Sequence, residues 1–161
     1  MDNASNQGAS TPQIQASGHP RSPAELVDEY LRVLMIPDPA GVQSFIAPGL
    51  RIRFTGGRAM SAPAECAAFN AGRYAWVKKR IERTEVVAGG TPEETVVYSL
   101  GTLYGAWPDG TPFEGNRYVD RYVVSHGLIT HMDVWNDSAE WLLGRQAGPT
   151  PPEAACPRPT K

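Results

Sequence analysis

The sequence predicts an α+β domain: a strongly curved antiparallel sheet, closed on one face by N-terminal helices, around a single cavity. Three observations lead there. Helical apolar spacing is confined to the first half of the 161-residue chain. Long runs of alternating character dominate the second half. The breaks between those runs are short and rich in turn residues, with Asp109-Gly110 as the plainest hairpin signal. Helices first and hairpin-linked strands afterwards make an α+β arrangement, and a curved sheet under helices leaves a small-molecule cavity.

The first helix opens at Ser22-Pro23-Ala24-Glu25. Ser22 caps it, Pro23 suits the first helical position, and Glu25 completes a capping box. Leu26, Tyr30, Val33 and Leu34 recur on one face, and Pro37 ends the helix. Asp38-Pro39-Ala40 opens a short second helix with Val42, Phe45 and Ile46 inward. Leu50–Thr55 alternates as a strand, and Gly56-Gly57 turns the chain. A third helix starts at Ser61-Ala62-Pro63-Ala64-Glu65 and is expected to reach about Trp76. Four strands follow over Lys79–Val87, Thr95–Trp107, Phe113–Ser125 and Leu128–Asn136. Gly89-Gly90, Pro108-Asp109-Gly110 and His126-Gly127 separate them. Asp137-Ser138-Ala139-Glu140 reads as a cap before Trp141-Leu142-Leu143.

Residues 1–21 are polar and rich in Ser, Gln and Gly, and residues 144–161 are rich in Pro. Neither segment has the apolar surface to offset the entropy of ordering, so both are expected to be disordered tails flanking a folded body over 22–143. A net charge of −2 without a basic stripe argues against nucleic acid as a partner. Lys78-Lys79-Arg80 is the one local basic cluster, and it reads as the solvated face of a strand. Cys66 and Cys156 have no ligand partners at zinc spacing, so no metal is expected and both read as free thiols of a reducing, cytoplasmic compartment. No secretory leader and no apolar run of membrane-spanning length is present, so no membrane partner is expected. No phosphate loop or dinucleotide fingerprint occurs, and no organic cofactor is expected.

Two segments carry a family resemblance. Tyr30–Phe54 (YLRVLMIPDPAGVQSFIAPGLRIRF) and Tyr118–Asn136 (YVDRYVVSHGLITHMDVWN) stand in the order and spacing of the NTF2-like superfamily. They resemble its SnoaL-like and ketosteroid-isomerase-like members, and the likeness extends over nearly the whole body. The resemblance implies that Tyr30 is the oxyanion-binding tyrosine of the first helix. It implies that Asp120 is the neutral aspartic acid of a late strand, donating to the same oxyanion. The aspartate base of ketosteroid isomerases falls at Phe54, which cannot take a proton. The Arg and the two Asp carboxylates of limonene-epoxide hydrolases would fall at Thr95, Val97 and Val134, so that chemistry is not supported. Trp76 and Arg80-Ile81 are similar to a stretch of phenazine-biosynthesis members, whose acidic residue again falls at Val134.

Alternation puts Asn116, Tyr118, Asp120 and Tyr122 on one sheet face, and Arg117, Val119, Arg121 and Val123 on the other. The family register turns the Asp120 face inward; the alternative makes Asp120 a surface residue. Tyr30 is either the oxyanion donor or an ordinary core tyrosine with a satisfied hydroxyl. On the last strand the register turns Met132, Val134 and Asn136 inward. His131 and Asp133 then face outward, toward Arg117 and Arg121 or a dimer interface. His131 remains a candidate proton carrier because imidazole titrates near neutral pH. Asn136 is either an amide contact at the cavity mouth or a strand-end turn residue. Phe54, Tyr74, Tyr104 and Tyr118 are candidate cavity walls, as are Trp76 and Trp107, with core packing as the alternative. The resulting expectation is a cofactor-free isomerase, cyclase or dehydratase acting on a small apolar substrate through an oxyanion. The competing expectation is a non-catalytic ligand-binding or dimerisation domain; a transport-factor-like protein binder comes third. In either leading case a homodimer through the sheet face is expected.

Overall fold

The computed structural model describes residues 21–36 and 41–147, with side chains as far as Leu142 at the C-terminal end. Pro37, the predicted helix start at Asp38-Pro39-Ala40 and Cys156 lie outside those residues, as do nearly all of the two predicted tails.

Helix α1 spans Pro23–Leu34, and both halves of the Ser22/Glu25 capping box form. Its buried stripe is Leu26, Val27, Tyr30 and Leu31. A 3₁₀ turn at Gly41–Phe45 buries Val42 and Phe45, where the second helix was expected. Strand β1 then runs Ile46–Phe54, β2 Arg58–Met60, helix α2 Pro63–Ala71, and β3 Trp76–Ala88. Strands β4 (Glu94–Ala106), β5 (Pro112–Ser125) and β6 (Leu128–Asn136) precede helix α3 (Ser138–Ala147).

The six strands form one sheet in the order β2-β1-β6-β5-β4-β3. Its hairpin pairings are antiparallel as expected, but β1 pairs with β6 in parallel. Five strands and helices (β2, α2, β3, β4 and β5) lie between them in the chain, so no hairpin dictates their relative direction. Helix α2 stops at Ala71 with Gly72 as its C-cap, short of the expected Trp76. Trp76 is instead drawn into the ladder opposite Ala106. Helix α3 runs to Ala147, past the predicted body boundary at 143.

Curvature is built into the β3–β4 hairpin. A Cβ on Gly101 would collide with the carbonyl oxygen of Arg80, and one on Gly105 with that of Trp76. Both positions therefore require glycine for close backbone approach. Register shifts at Ile81/Arg83 and Leu103/Gly105 add local bends.

The sheet's inner face and α1 enclose the main core, built on Val27, Leu31, Phe45, Ile52, Tyr122 and Ile129. A second cluster joins Tyr74, Leu103, Trp107, Phe113 and Tyr118 at the other end, with Leu142 of α3 packed against it. Trp107 and Phe113 stack there at 4.3 Å between ring centres. No helix among the described residues is long and apolar enough to cross a membrane.

Candidate functional site

Between α1, α2 and the concave sheet face lies a cavity of about 250 Å³. Its walls are mostly apolar, with Leu31 from α1, Ile52 and Phe54 from β1, and Leu103 from β4. The polar groups that reach it include Tyr30, Lys79, Tyr118, Asp120, Tyr122 and Asn136, with Asn70, Tyr74 and Lys78 also in the lining. Among the described residues Asp120 is the single carboxylate in that lining.

Strand β5 positions most of these groups. Its alternation buries Asn116, Tyr118, Asp120 and Tyr122, and Asp120 is only 1% exposed. The Asp120 face is therefore the inner one. Asp120 Oδ2 accepts from the Tyr122 hydroxyl at 3.0 Å and forms an ion pair with the Lys79 ammonium. Oδ1 has no hydrogen-bond partner among the described residues. A buried oxygen without a partner costs free energy, so a ligand proton or hydroxyl that reached this atom would be favoured.

Lys79 comes from β3, where Val77, Lys79 and Ile81 alternate toward the interior. Its ammonium also sits 3.9 Å from the centre of the Tyr118 ring, a cation–π contact. The Tyr118 hydroxyl is bonded to Ser99 at 3.0 Å. The expectation of a solvated Lys78-Lys79-Arg80 face thus fails at its middle residue. The signal was present in the sequence: a lysine between two inward aliphatic positions of a strand.

Tyr30 lies deep in the core, edge-on to Phe45 and Tyr122. Among the described residues its hydroxyl reaches the Met132 sulfur alone, at 3.5 Å. A thioether is a weak acceptor, so the phenolic proton remains available to a better one. Burial raises the Tyr30 pKa well above its ordinary value, and the negative charges of Cys66 thiolate and Asp120 would add to the rise. Tyr122 is raised by burial first and then by the Asp120 charge. Tyr118 is pushed up to about 12, chiefly by burial. All three phenols are consequently neutral donors at physiological pH. Cys66 also lines the cavity, its thiol against Met60 and pushed up to about 11 by burial, so it is no ready nucleophile.

Of the other residues singled out from the sequence, Phe54, Tyr74, Met132, Val134 and Asn136 line the cavity. Phe54 packs edge-on to Phe69. Tyr74 belongs to a buried network: its hydroxyl is bonded to Ser138, which also accepts from Asn116 Nδ2 at 2.7 Å. The Asn136 side chain caps α3 by accepting from the Ser138 backbone N–H at 3.1 Å, so it serves both as strand-end cap and as cavity wall. His131 and Tyr104 are not in the lining. His131 is on the outer face beside Arg51, bonded to Thr130, and burial followed by the Arg51 charge lowers its pKa. Tyr104 lies outward against Trp76 and Arg80. Asp133 pairs with Arg121 at 3.0 Å and Arg117 with Asp137 at 2.7 Å, both on that outer side. Among the described residues no group of three His, Cys, Asp or Glu side chains is placed to hold a metal ion.

No protein-family model matches the chain, and neither does any curated protein. Solved structures do. An NTF2-like protein from Burkholderia thailandensis E264 superposes with a TM-score of 0.62 at 19% identity, over 80% of this chain and 99% of its own. The fold is NTF2-like. A protein described as a SnoaL-like polyketide cyclase, from Jannaschia sp. CCS1, has a TM-score of 0.50 at 20% identity, over 83% of this chain and 100% of its own. The CaMKII hub of S. rosetta has 0.57 at 19%, over 73% and 99%. These likenesses show the fold alone, and any role of the chain must be argued from its site.

Proposed function

We propose that this NTF2-like chain is a cofactor-free enzyme that moves a proton on a small, largely apolar carbonyl compound through an enolate-like oxyanion. The observation that carries the reading is Asp120: among the described residues the one carboxylate in a mostly apolar cavity, with one oxygen held by Lys79 and Tyr122 and the other without a partner. The resemblance assigned Asp120 to the donor side of an oxyanion site. Its observed contacts use it as an acceptor twice over, which suits a carboxylate base. Oδ1 then takes the substrate proton, while Tyr30 and Lys79 supply the donors for the developing oxyanion. Returning the proton to a different carbon isomerises the substrate. Expelling a β-hydroxyl dehydrates it, and attack of the enolate on a second carbonyl cyclises it. A base at Asp120 also accounts for the apolar Phe54 at the position ketosteroid isomerases give to theirs. The SnoaL-like polyketide cyclase likeness points to the same chemical class.

The test is solvent deuterium exchange into a panel of enolisable cyclic ketones, followed by NMR. Exchange above buffer rate that is abolished in Asp120→Asn supports the proposal. Exchange at buffer rate across the panel, with wild type and variant alike, counts against it.

A second reading, assembly through the sheet, is favoured by one feature. Val119 and Trp135 sit opposite each other on the outer face, 37% and 48% exposed. A homodimer over that face would cover them, and sedimentation of wild type against Trp135→Glu tests it. Such a dimer is compatible with either a catalytic or a purely ligand-holding cavity.

A further inference from the structure

We propose that Lys79 is a covalent amine catalyst, its Nζ condensing with the carbonyl carbon of an aldehyde or ketone in the cavity while Asp120 relays the proton. The inference rests on the carbonyl ligand of the function proposed above, but not on the enolate being gripped by Tyr30.

Composition makes the residue choice informative. The chain has fifteen basic residues, and only Lys78, Lys79 and Lys161 are lysines. Among the described residues arginine supplies the cation of four exposed or half-buried ion pairs, to Glu29, Glu85, Asp137 and Asp133. Among the same residues lysine supplies it in the pair buried in the cavity, where the two side chains are 16% and 2% exposed. Arginine suits a purely electrostatic buried pair better, being less strongly hydrated and permanently charged. A lysine adds the capacity to lose its proton and expose a nucleophilic lone pair. A buried ion pair is also weak evidence for stability, since well-packed apolar residues often replace one at no cost.

The geometry supplies each step. Nζ touches Asp120 Oδ2, which gives an ammonium proton a direct route to the carboxylate; that transfer leaves a neutral amine beside a carboxylic acid. The amine lone pair forms the C–N bond to the carbonyl carbon, and the carbonyl oxygen becomes the hydroxyl of a carbinolamine after one amine proton shifts to it. Asp120 returns its proton to that hydroxyl, the C–O bond breaks and water leaves. The lone pair on nitrogen completes an iminium, and Asp120 is a carboxylate again. The net change is ammonium plus carbonyl to iminium plus water, with no oxidant or reductant consumed. The iminium keeps the positive charge over the Tyr118 ring, where the ammonium sat at 3.9 Å from the ring centre.

The experiment is reductive trapping. Full-length protein is incubated at neutral pH with 2-naphthaldehyde, and separately with butanal, in the presence of cyanoborohydride. Modified lysines are then mapped by peptide mass spectrometry. The expected result is an adduct at Lys79 before Lys78 or Lys161 is modified, and loss of that adduct in Lys79→Arg. Lys78, the preceding residue, is an exposed lysine at the cavity's edge without a carboxylate contact among the described residues, so its modification measures reach into the cavity without the Asp120 relay. Adducts at Lys78 or Lys161 with Lys79 untouched, or no adduct with either aldehyde, would overturn the proposal. Trapping reads the amine alone, so a failure here leaves deuterium exchange through Asp120 separately testable.

Discussion

Removing the Lys79 side-chain charge should cost stability, and the size of the loss follows from the burial of its partner. In Lys79→Met the Asp120 carboxyl loses its cation but stays 1% exposed, so water cannot replace what was lost. Tyr122 still donates to Oδ2, and Oδ1 still has no partner. Breaking a buried pair by deleting one member typically costs about 3–5 kcal/mol. The Lys79 side chain is itself 16% exposed, which places the expectation near the lower end, about 3 kcal/mol. Domains of this kind hold only about 5–15 kcal/mol in total. With a urea m-value of about 2 kcal/mol/M, the midpoint should fall by roughly 1.5 M. The assay is equilibrium urea unfolding followed by tryptophan fluorescence. Asp120→Asn in the Lys79→Met background removes the uncompensated charge and should recover about half of the loss or more. A midpoint unchanged in Lys79→Met, or a double variant whose losses simply add, would refute the reasoning that the pair is buried and coupled.

Three further outcomes follow from particular contacts. Burial raises the pKa of Tyr30, Tyr74, Tyr118 and Tyr122 above the ordinary 10.0 in the folded chain. The folded state then holds more protons than the unfolded one above that value, so stability is intact below pH 10 and falls as pH rises through it. Absorbance titration at 295 nm should show these four phenols ionising only in step with unfolding. Cys66, pushed up to about 11, should react with iodoacetamide at pH 8 far more slowly in the native protein than in urea, and equal rates would contradict its burial. Gly101→Ala drives a methyl into the Arg80 carbonyl oxygen and should destabilise the β3–β4 hairpin by roughly 1–3 kcal/mol, read as a lowered unfolding midpoint.

Local signals in the sequence were sufficient wherever local chemistry decides the backbone. The Ser22/Glu25 box, the Asp109-Gly110 turn and the His126-Gly127 turn all stand where the residue types place them, the last with positive φ at both positions. Non-local choices were not legible. The parallel β1–β6 pairing joins segments some eighty residues apart, and nothing in either segment encodes direction. Strand β2 is three residues long, too short for any alternation to register. The site divides along the same line. Period-two reading of β5 grouped Tyr118, Asp120 and Tyr122 correctly on one face, and the structure shows that face to be inner. Lys79 was hidden because its neighbours Lys78 and Arg80 made a basic triplet, and a triplet invites a single solvated assignment. Alternation splits it, sending Lys79 inward with Val77 and Ile81. Residue type alone groups Tyr104 with the cavity, while in the ladder it stands opposite Lys78 and packs outward against Trp76 and Arg80.

The most direct test of an oxyanion-holding cavity is a fluorescence titration of a planar naphthol, whose phenolate mimics an enolate, into wild type, Tyr30→Phe and Lys79→Met. Loss of a hydrogen bond to a charged group costs about 1.5–3 kcal/mol, which is roughly 10- to 150-fold in affinity. The account predicts a weakening of that order in each variant, with the bound probe emitting as the phenolate in wild type. Affinity indifferent to both substitutions would mean that the cavity holds its ligand by apolar contact alone, and would contradict the account.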